Sequence, residues 1–240
     1  MAYRFPMLAA AVLTTASLAG ALVIGVTRQA ASAAEPSIVA PAPTVDEPLT
    51  KTSGSETAIL SGGCFWGMQL VFQHVRGVRE AVSGYTGGER ATAHYEDVGT
   101  GTTGHAESVE IVFDPHLVSY GTLLRLYFSV ATDPTELDRQ GPDEGSQYRG
   151  EIWPTSSAQR RVAEAYVAQL RSARVFSDPI VTRIETARAF YPAEAYHQDF
   201  ATLNPHNLYI MTFDAPKAAA LAKEFPDLYL TRPTLVAASN

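Results

Sequence analysis

A single cysteine, Cys64, stands among the 240 residues, so no internal disulfide is available and the fold must hold by packing alone. The constraint matters because the N-terminus reads as an export signal, and export leads to compartments where disulfides are permitted. Residues 7–26, MLAAAVLTTASLAGALVIGV, are nearly all apolar, follow the basic MAYR, and lead into ASAAEP, whose small residues suit an export peptidase cutting near Ala33 or Ala34. The same run is long enough to cross a bilayer, with Arg28 at its flank, so a retained anchor is the second reading. The expected location is periplasmic or secreted, or membrane-anchored facing the periplasm. We expect a signal peptide over 1–34, a flexible linker over 35–54 in which Pro, Ser, Thr and Ala never settle into a period, and one domain over 55–240.

The formal net charge of −7 argues against a nucleic-acid surface, which needs a basic footprint. Within the domain, TAILSG reads as a strand ended by Gly62 and Gly63. A helix follows, because Met68, Val71, Phe72 and Val75 fall at i, i+3, i+4 and i+7. VREAVSGYTGG reads as a strand into a glycine turn, and AESVEIVFDP alternates around Val109, Ile111 and Phe113. SYGTLLRLYFSV is a helix started by Ser119, SAQRRVAEAYVAQLRSARV is a longer helix, and PIVTRIETA is a strand. The pattern predicts an α/β (α+β two-layer) sandwich, a mixed β-sheet with flanking helices, and a long irregular C-terminal region from Tyr191 onward.

Cys64 sits at or just before a helix N-terminus, where the positive end of the peptide dipoles and free N–H groups favour a thiolate. A lone cysteine can equally fill space in a core. Two glycines before it and two aromatics after it suit a pocket better than a plain core layer. Partners for a reactive thiol are at hand: Tyr95, His105 and Glu107 around a glycine-rich turn, Asp143 and Tyr148 in a loop, and His197 near the end. Glu107 stands at the start of a strand, where a carboxyl can point inward.

The segments GCFWG (63–67), GYTGG (84–88), TGHAE (103–107), QYR (147–149), YHQDF (196–200) and NPHN (204–207) occur in an order and spacing that resembles the peptide methionine sulfoxide reductase A family, over about residues 56–212. The resemblance implies that Cys64 attacks the sulfur of methionine sulfoxide, free or in a protein, and selects the S epimer. It implies that Phe65 and Trp66 hold the methyl group, that Glu107 protonates the oxygen, and that Tyr95 and Tyr148 hydrogen-bond it. Asp143 matches a polar residue by the pocket, and His197 a histidine close to it. No cofactor is implied. The family often carries resolving cysteines, but VGTGTTGHAE has Gly99 in the turn and NPHNLYI has none. The sulfenic acid left on Cys64 is therefore expected to meet an external thiol: a thioredoxin-like or glutaredoxin-like protein, or a small thiol such as glutathione.

Other readings compete. A cysteine hydrolase would pair Cys64 with His105 or His197 as base. An exported binding module would keep the fold without turnover. A metal site is disfavoured, since His74, His105, His116, His197 and His206 show no ligand spacing.

Overall fold

A computed structural model describes residues 38–236. The expected signal peptide, and residues 35–37 of the expected linker, lie outside the described residues.

The strands are β1 (Glu56–Ser61), β2 (Val78–Thr86), β3 (Ala106–Phe113), β4 (Arg139–Gln140), β5 (Asp143–Glu144), β6 (Glu151–Trp153), β7 (Arg183–Ile184) and β8 (Phe190–Pro192). The α-helices are α1 (Phe65–Gln73), α2 (Tyr95–Val98), α3 (Tyr120–Leu126), α4 (Ser157–Ser172), α5 (Phe200–Leu203) and α6 (Ala215–Glu224). Six strands form one sheet in the order β7-β6-β1-β3-β2-β8, while β4 and β5 pair separately. Only the β6–β7 pair in that sheet is parallel, which makes it mixed, as expected.

Period-two alternation decides which side chains meet the helices. Val109, Ile111 and Phe113 of β3 join Ala58 and Leu60 of β1 in one core with Val71 and Phe72 of α1, Leu123 of α3 and Val162, Tyr166 and Leu170 of α4. Residues of the opposite parity, Ile59 and Ala106, pack instead with Trp153 in a small separate cluster. This is the two-layer arrangement that the pattern predicted. The strand expected over PIVTRIETA shrinks to Arg183–Ile184.

Helix α1 is more deeply placed than one apolar stripe implies, for every residue except Trp66 is buried. Its second face is covered by the C-terminal part of the chain. Gln69 donates to Ala81 O at 2.9 Å and accepts from Asp199 N–H at 2.9 Å, and Gln73 donates to Asp199 Oδ1 at 2.5 Å. Leu70 packs with Ala201 and Ile210. The region expected to be irregular thus carries α5, a π-turn over Ile210–Asp214, and α6. In α6 the sequence APKAAALAKE fully buries only Leu221, so helix propensity rather than an apolar stripe supports it.

The flexible-linker expectation needs correction for residues 38–54, which are strapped to the domain. Ala40 is fully buried and its N–H donates to Ser129 Oγ at 3.0 Å, while Arg125 Nε donates to Ala40 O at 2.8 Å and the Tyr166 hydroxyl to Pro41 O at 2.7 Å. Asp46 accepts from the Ser119 hydroxyl at 2.5 Å and from Gly121 N–H at 2.9 Å at the head of α3. Composition misled because a segment with no apolar face can still be held by satisfying its backbone and capping a helix. Asp46→Ala is expected to cost about 1–2 kcal/mol, by analogy with lost N-caps, seen as a lower urea midpoint with an unchanged slope.

Candidate active site

Strand β1 ends at Ser61, and Gly62 and Gly63 carry the chain to the head of α1. Gly63 has φ +91°, and a Cβ there would fall 2.5 Å from Gln140 Cγ, so this turn accepts glycine alone. It sets Cys64 as the N-cap of α1, with φ −53° and ψ 122°. Glu107 shares parity with Val109, Ile111 and Phe113, so its carboxyl points to the face that α1 covers. There Glu107 Oε2 accepts the Phe65 N–H at 2.9 Å, taking up one of the free donors of the first helical turn.

The remaining groups arrive on short elements. Tyr95 opens α2, and Tyr148 ends a 3₁₀ turn over Ser146–Tyr148. Arg149 secures that turn: it donates to Ser146 O at 2.8 Å, Gly104 O at 3.0 Å and His105 O at 3.2 Å, and pairs with buried Glu151. The loop bearing Tyr148 is thereby fastened to the turn that leads into Glu107. Asp143 of β5 accepts a hydrogen bond from the Tyr209 hydroxyl.

Cys64, Phe65, Trp66, Tyr95, Glu107, Asp143, Tyr148 and Tyr209 line one cavity of about 210 Å³. Its wall is braced by Phe200, which stacks on Trp66 at a centroid distance of 4.0 Å. Seven of the eight expected site residues therefore converge. His197 is the exception: it does not line the cavity but lies fully buried behind it, accepting the Trp66 indole N–H at 3.1 Å. His105, the other imidazole a hydrolase could use, is engaged by Gly88 N–H at 3.2 Å and the Glu89 carbonyl at 3.0 Å, also away from the cavity. Neither imidazole that a hydrolase would use as its base therefore lines the cavity with the Cys64 sulfur.

Two groups escaped the sequence reading. Tyr209 lies in NPHNLYI, a segment read only for its missing cysteine. Asp214 precedes α6, is fully buried, and neither of its carboxyl oxygens has a hydrogen-bond partner among the described residues. A Cβ at Gly67 would collide with that carboxyl, which explains the glycine at this point of α1. Nothing in the sequence marks Asp214 apart from an ordinary helix start.

Burial governs the electrostatics. The Cys64 thiol is pushed well above its usual range by desolvation, with Glu107 and Asp214 adding to the effect and the Trp66 N–H opposing it. The expectation of a thiolate at rest is therefore corrected: the cost of dehydrating an anion exceeds what a helix terminus returns, at most about 2 kcal/mol. Glu107 is pushed up to about 8, by burial first and against the pull of the Phe65 N–H, so it is protonated at neutral pH. Tyr95 and Tyr148 are raised by burial and then by Glu107, and remain O–H donors. A neutral thiol thus faces a carboxylic acid and two phenols across a partly aromatic cavity, a set suited to putting a proton on a substrate oxygen while sulfur attacks.

A family model described as "Peptide methionine sulfoxide reductase" matches residues 56–228. A peptide methionine sulfoxide reductase of Mesorhizobium japonicum is 60% identical over 188 residues, covering 78% of this chain and 96% of that protein. One from Synechocystis is 48% identical over 191 residues, covering 79% of this chain and 89% of that protein. Among solved structures, methionine sulfoxide reductase A of Corynebacterium diphtheriae superposes with a TM-score of 0.54 at 31% identity, over 72% of this chain and 88% of that one. Reduced Mxr1 of Saccharomyces cerevisiae gives 0.58 at 27% identity, over 69% and 97%.

Proposed function

We propose that in this chain, which belongs to the peptide methionine sulfoxide reductase family and reduces methionine sulfoxide with a thiol, that thiol is Cys64 and the acid working with it is Glu107. The observation that carries the assignment is the shared cavity, in which Cys64 and a protonated Glu107 line one pocket with Tyr95 and Tyr148. The sulfoxide methyl group rests against Phe65 and Trp66, and its oxygen faces Glu107 and the two hydroxyls. Glu107 transfers its proton to the oxygen, which makes the sulfur electrophilic. Cys64 sulfur attacks that sulfur as the thiol proton returns the acid to its resting state.

Collapse with transfer of oxygen leaves Cys64–SOH and a thioether, so one thiol and one sulfoxide become one sulfenic acid and one methionine. Hydroxyls aimed at the oxygen contribute most where charge develops in a water-poor site. An aromatic wall and a hydroxyl wall leave one direction for the rest of the side chain, so the pocket admits a single epimer, and the family resemblance makes it the S epimer. Single turnover with the separated sulfoxides tests this: the S epimer is expected to yield methionine at least about a hundredfold faster than the R epimer, roughly 2.7 kcal/mol of discrimination. Equal rates contradict it.

No second cysteine is present to resolve the sulfenic acid. A first external thiol attacks Cys64–SOH, releasing water and forming a mixed disulfide, and a second thiol releases Cys64 and leaves with the first as a disulfide. A thioredoxin-like or glutaredoxin-like protein or a small thiol supplies both. The expected site of action is periplasmic or secreted, supported by the apolar run over 7–26 and the small residues after it. Mass spectrometry of the mature N-terminus checks this; a start beyond Ala33 agrees with export and cleavage, and an intact start agrees with the anchored alternative.

A further inference from the structure

Behind the Phe65 and Trp66 wall lies a polar chain, running from half-buried Glu194 to buried His197, that no step of the reaction consumes. His197 is 1% exposed, and its ring centroid lies 4.5 Å from that of Tyr95, 5.0 Å from Phe65 and 5.7 Å from Trp66. Trp66 Nε1–H reaches His197 Nδ1 at 3.1 Å. An indole nitrogen only donates, so Nδ1 must offer a lone pair and the ring proton belongs on Nε2. That Nε2 is buried without a hydrogen-bond partner among the described residues, and Glu194 Oε2 stands 3.9 Å from it. Glu194 is engaged twice more: Oε1 accepts the Tyr95 N–H at 3.0 Å, and Oε2 accepts the Tyr85 hydroxyl at 2.9 Å. The Tyr85 ring in turn lies 5.8 Å from Phe65. One carboxylate therefore addresses the start of the helix that bears Tyr95, a ring behind Phe65, and the imidazole that holds Trp66.

We propose that Glu194 and His197 are positioning residues for the sulfoxide pocket, Glu194 anchoring Tyr95 and orienting His197, His197 holding the Trp66 indole, and protonation of His197 releasing that indole. The inference rests on the reading of Phe65, Trp66 and Tyr95 as the sulfoxide pocket. A protonated imidazole carries N–H on both nitrogens, so Nδ1 would present a donor to a donor and the bond to Trp66 would be lost. The groups facing His197 are Glu194 and Tyr196 from its own segment, Tyr95 from α2, and the uncharged Phe65 and Trp66 from α1. Burial holds the His197 pKa below its ordinary value, with Glu194 pulling the other way, so the ring is neutral at pH 7 and charges in acid. Burial tends to raise Glu194, but the Tyr95 N–H and the Tyr85 hydroxyl among its partners leave it below the ordinary carboxylate value. The carboxylate persists where the imidazole changes.

The test is single-turnover reduction of a blocked methionine S-sulfoxide by the full chain between about pH 7.5 and pH 4.5, a window that spans histidine titration. It is run on the wild type, His197→Asn, His197→Phe and Glu194→Gln, separating the half-saturating sulfoxide concentration from the saturating rate. On acidification the wild type is expected to need about tenfold more sulfoxide, while its saturating rate changes less than about threefold. His197→Asn keeps an acceptor for the indole and cannot titrate, so its half-saturation should match the wild type at pH 7 and stay flat in acid. His197→Phe fills the space without an acceptor and should show the raised value at every pH. Glu194→Gln should move the acid limb to lower pH, because the charge favouring the imidazolium is gone. A wild-type value for His197→Phe at pH 7, or an acid limb that persists in His197→Asn, overturns the clamp alone. A wild type that forms no methionine at any pH overturns the reductase reading and the clamp with it.

Discussion

Cys64→Ser is expected to abolish reduction, by at least about four orders of magnitude in single turnover, while leaving the fold slightly more stable. The two effects have opposite signs for separate reasons. A hydroxyl oxygen is a poor nucleophile toward sulfoxide sulfur and cannot end the step as a sulfenic acid, so the oxygen has nowhere to go. Yet Cys64 occupies the N-cap of α1, with no capping hydrogen bond from its side chain to the end of the first turn. Serine is among the preferred residues at that position and is worth about 0.5–1 kcal/mol over a non-capping one. Thermal melting of the inactive variant at or above the wild-type temperature, with no methionine formed, is the expected pair of results. Residual turnover near the wild-type rate would remove Cys64 from the reaction.

Glu107→Gln carries the second large effect. It keeps the shape and an acceptor for the Phe65 N–H, but has no acid proton to give, so the single-turnover rate is expected to fall about 10²–10⁴-fold with little change in substrate binding. The wild-type rate should decline as pH rises through about 8, where Glu107 loses its proton, and this limb should vanish in the variant. The same group governs stability with a definite sign. Its pKa in the folded protein, about 8, lies above that of an exposed glutamate, so its stabilising contribution is complete below about pH 4.5 and is lost as pH rises through 8. Glu107→Gln should therefore be more stable than the wild type at about pH 9, by an amount on the order of a few kcal/mol, and close to it in acid. Parallel pH dependence of melting in the two proteins would contradict the buried acid.

The strands and the site segments were legible because their signals are local. Alternation through Val109, Ile111 and Phe113 set the inward parity of β3, and Glu107 inherited its direction from that parity. Glycine placement at Gly63 marked the tight entry to α1. What the sequence hid depended on contacts between distant segments. The strap over 38–54 is held by hydrogen bonds to α3 and α4 that no composition reports. Asp214 meets α1 at Gly67 only after the C-terminal region folds over that helix. The protonated resting state of Cys64 was missed for a related reason: a helix terminus can be seen in a sequence, whereas the depth at which it lies cannot.

One sulfur, that of Cys64, takes the oxygen from methionine sulfoxide. The most direct measurement of that transfer is a single turnover without reductant, with the intact protein mass, the free thiol count and the methionine released read together. The expected result is one methionine formed per protein, one thiol lost, and one oxygen atom gained by the protein and located at Cys64. Methionine released with the Cys64 thiol intact, or oxygen found on any other residue, would contradict it.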